Sequence, residues 1–184
     1  MNREQPPAET ETAVVIQAVA MDAVEEFHAA VVESRPELRR YLQWAVPEPE
    51  VSTTRRNMEQ AIANFDACEK ELRFLVKRAA DGLLVGCIGL MVRDLEVPFF
   101  EIGYWVRSSQ TGRGYATDAV ILVEQYALAQ FRPIRLEIRC ASDNAASARV
   151  AQKAGFSHEA RIACDRRLPD GRLVDTDIFR KLYA

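Results

Sequence analysis

The chain has 184 residues, 48% hydrophobic and 28% charged, a composition that suits one globular domain with a substantial apolar core. A formal charge of −3 and a pI near 5.5 lack the basic footprint that nucleic-acid binding requires. No apolar run approaches the roughly 20 residues of a membrane span and no signal-peptide core opens the chain, so the expectation is a cytoplasmic protein with no nucleic-acid or membrane partner.

Residues 1–12, rich in Glu, Thr and Pro, read as a disordered leader, and 13–184 as the folded domain. The β-rich run AVVIQAV (13–19) comes first. Asp22 with Glu25 forms a capping-box pattern ahead of Val24, Phe27 and Val31, which share a helix face. Ser34 with Glu37 repeats the signal, and Pro36 suits a first turn. That predicts a second helix carrying Leu38, Tyr41 and Leu42, ended by Pro47 and Pro49. A third carries Met58, Ala61, Ile62, Phe65 and Cys68, capped by Ser52 or Thr53. LRFLVKR and LLVGCIGLMV follow as strands joined through the hairpin signal Asp81-Gly82, and FFEIGYWV (99–106) is the next strand.

Gly112-Arg113-Gly114 then stands ahead of a helix over about 114–129. IRLEIRC (134–140) alternates strictly, with Ile134, Leu136, Ile138 and Cys140 on one face. A helix over 144–154 stops at Gly155, and Asp170-Gly171 joins the last two strands. The order β-α-α-α-β-β-β-α-β-α-β-β describes one mixed α/β (α+β) domain, in which three antiparallel strands feed a β-α-β crossover through the glycine loop. Cys68, Cys87, Cys140 and Cys164 are far apart, with no CxxC pair and only two histidines in the chain. They read as reduced, mostly buried thiols, and no metal site is expected. His28 and His158 have no nucleophile beside them and read as structural or surface residues.

The glycine pair admits two readings, a tight turn or a phosphate cradle at a helix start. A dinucleotide fingerprint would need glycine where Thr117 stands, and a nucleotide-hydrolysing loop needs Gly-Lys-Ser/Thr, which is absent. What decides is the company the loop keeps. EIGYWVRSSQTGRGYATDAV, followed some two dozen residues later by DNAASARVAQKAGF, resembles the GNAT superfamily of acyl-CoA-dependent N-acetyltransferases, in its RimJ/RimL-like branch of ribosomal-protein N-terminal acetyltransferases. The family's Q/R-x-x-G-x-G/A motif falls on Thr111-Gly112-Arg113-Gly114-Tyr115-Ala116, with Thr111 in place of the usual Gln or Arg. Gln110 or the Thr111 hydroxyl is a substitute. The resemblance covers 13–184 and implies a central, mostly antiparallel sheet with one splayed parallel strand pair, 99–106 and 134–140, and helices on both faces.

It also implies acetyl-CoA as acetyl donor, without a metal. Gln110, Thr111, Gly112, Arg113, Gly114, Tyr115, Ala116 and Thr117 would hold the pyrophosphate, mainly through backbone N–H groups. Trp105 and Val106 would meet the rest of the donor, the N–H near Trp105 polarising the carbonyl. Asn144 is an N-cap by its own chemistry, and by resemblance a pantetheine contact as well. The tyrosine acid that many relatives carry four residues before Gly-Phe is Ala151 here. Ser147, one turn earlier, is by resemblance the group that meets the departing thiolate, and otherwise a helix serine bonding back to a carbonyl. Glu101 is the candidate base, or else a sheet-surface carboxylate. Trp44 and Tyr104 are candidates for the acceptor pocket, or else core. The implied activity is acetyl transfer to a primary amine, best a protein N-terminal α-amino group, in a ternary complex. The alternatives are a polyamine or antibiotic acetyltransferase and a silent acyl-CoA-binding module. A homodimer stays open.

Overall fold

The computed structural model describes residues 12–183. The expected leader therefore lies outside the described residues except for Thr12, whose hydroxyl donates to Val14 O at 2.9 Å. Seven strands form one sheet in the order β1-β2-β3-β4-β5-β7-β6: β1 (Val14–Ala18), β2 (Glu71–Arg78), β3 (Leu84–Asp94), β4 (Phe99–Val106), β5 (Arg135–Ala141), β6 (Ser157–Arg167) and β7 (Leu173–Leu182). Every neighbouring pair is antiparallel except β4 with β5. The hairpin turns fall at Gly82 and Gly171, both at positive φ (74° and 89°), where an L side chain is disfavoured.

Four α-helices cover the two faces: α1 (Val24–Leu38), α2 (Val51–Ala67), α3 (Tyr115–Phe131) and α4 (Ala145–Lys153). Alternation along the strands sorts the core into two layers. Leu72, Phe74, Ile88, Leu90, Phe100, Ile102, Leu136 and Ile138 pack under α3 and α4. Leu75, Leu84 and Cys87 pack with Phe27, Val31, Met58 and Ala61 of α1 and α2. Cys140 is also buried, whereas Cys68 and Cys164 are exposed, so two of the four thiols depart from the expected burial. Burial pushes the Cys87 thiol up to about 12.

The sequence predicts three helices before β2, and the structure has two. Ser34 starts nothing: α1 runs through it and through Pro36 to Leu38. The Ser34 hydroxyl is buried and accepts the Ser108 N–H at 3.0 Å, so a tertiary partner takes the oxygen that a cap would use. The Asp22–Glu25 box does not form either, because a 3-10 turn over Met21–Ala23 leads into α1 and Ala23 stands at its cap. α2 begins at Val51, ahead of Ser52 and Thr53, without a side-chain cap. Cys68 is not on its face but closes it at φ 52°.

Gly86 of β3 faces Val106 of β4. A Cβ there would run into the Trp105 carbonyl oxygen, a backbone atom that cannot swing away. Gly86→Ala should therefore cost about 1–3 kcal/mol of stability, read as a lower urea midpoint at unchanged m-value.

Candidate active site

β4 and β5 pair in parallel over three positions only, Phe99↔Arg135, Phe100↔Leu136 and Glu101↔Glu137. Beyond Glu101 each strand follows its other neighbour, β4 along β3 to Val106 and β5 along β7 to Ala141. The gap exposes backbone. Arg107 N–H donates to Val85 O at 2.8 Å, and an antiparallel ladder alternates its bonds. The Trp105 N–H therefore points at β3, while those of Tyr104 and Val106 point into the gap. The donors expected near Trp105 belong to its two neighbours.

The chain leaving β4 is tied down by α1. Glu33 accepts from Arg107 Nε at 2.6 Å and from Ser109 N at 3.0 Å, and Glu37 accepts from Ser108 Oγ at 2.7 Å. Gly112 and Gly114 follow at φ 76° and 87°. The first backbone bonds of α3 run from Thr117 and Asp118, both to Gly114 O. Among the described residues, the N–H groups of Gly112, Arg113, Gly114, Tyr115 and Ala116 find no protein acceptor. Five free donors at a helix N-terminus form an anion nest. A Cβ on Gly112 or Gly114 would meet nothing within 4 Å, so the glycines leave the nest open.

The nest opens on a cavity of about 420 Å³, a size that suits a small-molecule ligand. All eight residues from Gln110 to Thr117 line it, as do Tyr104, Trp105, Val106, Asn144 and Ser147. Arg113, Arg149 and Lys153 line it too, and among the described residues none of them has an ion-pair partner. The Thr111 hydroxyl donates to Ser108 O at 3.0 Å, and Gln110 bonds Arg78 and Ser109. The Thr111 hydroxyl is therefore spent, while Gln110 keeps one amide proton beside the backbone and the cations.

At the inner end, Asn144 caps α4 by accepting Ser147 N–H at 3.1 Å, which keeps its amide nitrogen for the cavity. Ser147 Oγ lies 3.0 Å from the Tyr104 hydroxyl, and the buried Cys140 thiol lies close to Ser147. Burial raises both the Cys140 thiol and the Tyr104 phenol above their ordinary ranges. Glu101 is not among the lining residues. It stands four positions before Trp105, roughly 13 Å along the strand, buried, with Oε2 held 2.7 Å from Arg93 Nη2. Trp44 is half exposed, tilted against Trp105 at a centroid distance of 6.4 Å, and also outside the lining.

The sequence profile of the acetyltransferase (GNAT) domain matches residues 14–157. The chain belongs to the GNAT acetyltransferase family. Among its relatives, a probable N-acetyltransferase of Bacillus subtilis, YjcK, is 35% identical over 94 residues, a match spanning 50% of this chain and 51% of that protein. The RimL ribosomal L7/L12 α-N-protein acetyltransferase in complex with coenzyme A has the same fold at a TM-score of 0.87 and 20% identity, over 95% of this chain and 96% of that one. The microcin C7 self-immunity acetyltransferase MccE, in complex with acetyl-CoA and AMP, gives a TM-score of 0.85 at 20% identity, over 93% of each chain.

GNAT enzymes draw acetyl groups from acetyl-CoA, and this site suits that donor. Its phosphates are anions, and the nest, Arg113, Arg149 and Lys153 present donors and positive charge to the same cavity. Arg149 and Lys153 escaped the sequence reading, although Ala146, Arg149, Val150 and Lys153 repeat at helical spacing and mark one face of α4. Glu37, Leu38, Tyr41 and Leu42 escaped it too, since only the folded chain brings them to β4. Gly114→Leu should weaken acetyl-CoA binding at least tenfold by calorimetry, because its side chain fills the nest. The folded state should lose only the cost of a left-handed residue, about 1–2 kcal/mol.

Proposed function

We propose that this GNAT domain acetylates the α-amino terminus of a protein, as its fold relative RimL does. The observation that carries the acetyl-transfer reading is the row of five free N–H groups opening on a cavity whose far end holds Ser147. The donor, when bound, supplies an activated thioester. The Gly112–Ala116 N–H groups hold its pyrophosphate, the Asn144 amide meets the pantetheine, and the Tyr104 N–H polarises the carbonyl. Ser147 Oγ–H meets the departing sulfur.

The acceptor side supports a polypeptide substrate. α1 and α2 pack on β2 and β3, which among the described residues leaves the β5–β7 part of that face without a helix, and Trp44 is half exposed. An open approach suits a chain terminus better than an enclosed small molecule. MccE shares the fold equally well, so a small-amine acceptor is the second reading, and Ala151 in place of the tyrosine acid favours a silent binding module as the third. Release of coenzyme A should be followed with peptides bearing free N-termini, with the same peptides N-blocked, and with polyamines. Turnover on the free peptides alone is expected. Turnover on polyamines alone overturns the acceptor, and acetyl-CoA binding without turnover on any amine supports the silent module.

Ser147→Ala should lower kcat roughly ten- to a thousandfold at a nearly unchanged KM for acetyl-CoA, as for a group that acts in the transition state. The amine proton goes to solvent in this reading. Glu101 is engaged by Arg93 away from the cavity lining, and an α-amino group of pKa about 7.7–8 is partly neutral at pH 7.5. Glu101→Gln should therefore keep the wild-type pH profile of kcat/KM from pH 6 to 9. A selective loss at pH 7 that recovers by pH 9 would restore Glu101 as the base.

A further inference from the structure

Tyr104 touches Ser147 twice. Its hydroxyl lies 3.0 Å from Ser147 Oγ and 3.0 Å from the Ser147 carbonyl oxygen. A phenol has one proton, so these two acceptors compete for it. The carbonyl lies inside α4, where the helical pattern already pairs it with the Ala151 N–H. Among the described residues, the Ser147 hydroxyl has no such fixed backbone donor. Left to itself, a helix serine turns its hydroxyl back onto the carbonyl one turn earlier, which here is that of Asp143. That rotation would take its proton along the helix and away from the cavity.

We propose that Tyr104 is a positioning residue for Ser147. Its O–H donates to Ser147 Oγ, fixes that oxygen at the cavity wall, and leaves the serine proton for the sulfur of coenzyme A. This rests on the reading that Ser147 meets the sulfur. Two features of the site fit a positioning role better than an acid role. The phenol reaches the cavity wall from β4, a strand held by β3 along its whole length, and so is a rigid arm. Burial holds the phenol above its ordinary range, so it stays a donor through neutral and mildly alkaline pH and gives up its proton poorly. The arrangement also accounts for Ala151: with the serine aimed from β4, the cavity needs no phenol from α4.

The test needs no acceptor amine. Affinities for coenzyme A and for desulfo-coenzyme A, in which hydrogen replaces the thiol, are measured by calorimetry from pH 7 to pH 9. The thiol of coenzyme A is a simple alkyl thiol that ionises about a unit above the cysteine value of roughly 8.5, and a donor aimed at the sulfur lowers that value in the complex. Coenzyme A should then gain on its desulfo analogue between pH 7 and pH 9, by about threefold for a one-unit lowering. The other titratable groups facing the cavity are Glu37, Tyr41, Arg113, Tyr115, Arg149 and Lys153, with Cys140 behind Ser147. They act on both ligands, so the ratio of the two affinities isolates the sulfur.

Tyr104→Phe should flatten that ratio while binding desulfo-coenzyme A within about twofold of wild type, which also reports that the variant is folded. Ser147→Ala should flatten it equally, and the double variant should add nothing, since the two act as one unit. A wild-type rise retained in Tyr104→Phe but lost in Ser147→Ala overturns the positioning role and leaves the serine reading intact. A rise lost in Tyr104→Phe but retained in Ser147→Ala overturns both, because Tyr104 then reaches the sulfur by itself. A flat wild-type ratio overturns the serine reading and the proposal with it. Weaker desulfo-coenzyme A binding in Tyr104→Phe makes the residue a cavity wall and overturns it too.

Discussion

Three residue pairs hold β4 to β5, and the chemistry of this domain depends on their stopping at Glu101–Glu137. Continuing the same register through Tyr104 to Val106 would close the sheet and consume the N–H groups of both residues in a ladder. The strands part because each is more strongly committed elsewhere, β4 to β3 over eight registered pairs and β5 to β7 over seven. The unpaired backbone this leaves would be costly if sealed from every partner. A cavity that admits a polar ligand removes that cost, so the sheet defect and the binding site are one feature.

The same gap explains why α1 reaches so far across the molecule. A loop carrying two left-handed glycines is a weak platform unless its entry is fixed. Glu33, Ser34 and Glu37 fix it through bonds to Arg107, Ser108 and Ser109, more than seventy residues away in sequence. These bonds aim the nest toward the gap. They also account for the continuous α1: with the Ser34 hydroxyl spent on the loop, nothing caps a new helix there. A sequence signal for one local structure has been taken over by a tertiary one.

That takeover marks the boundary of what the sequence made legible. Alternation and hairpin turns are local signals, and the strands, the Asp81-Gly82 and Asp170-Gly171 hairpins and the order through the crossover were readable from them. The glycine loop and Asn144 were readable because backbone conformation and capping are also local. The start and extent of α1 were not, since spacing alone does not say whether the side-chain oxygens of Asp22 and Ser34 cap a helix. Glu101 shows the same limit in another form. Its strand position follows from alternation, but whether its carboxylate faces an incoming amine depends on Arg93, which arrives from the neighbouring strand across a turn. Cys140 read only as a core thiol, and its place against Ser147 follows from how α4 lies over β5.

The distribution of spent and unspent polar groups around the cavity is what gives it a direction. The side chains of Thr111, Gln110, Glu33 and Glu37 hold protein partners and so brace the nest. Asn144 divides its amide, the oxygen capping α4 and the nitrogen left over. The five loop N–H groups, Arg113, Arg149 and Lys153 are unspent among the described residues, and all of them carry positive or donor character. An elongated ligand with anionic groups is thereby oriented, its charged end at the loop and its other end at Ser147 and the parted strands. In the reaction proposed above, the reactive end of the donor arrives where β4 and β5 part, beside Trp105 and the half-exposed Trp44 that is tilted against it.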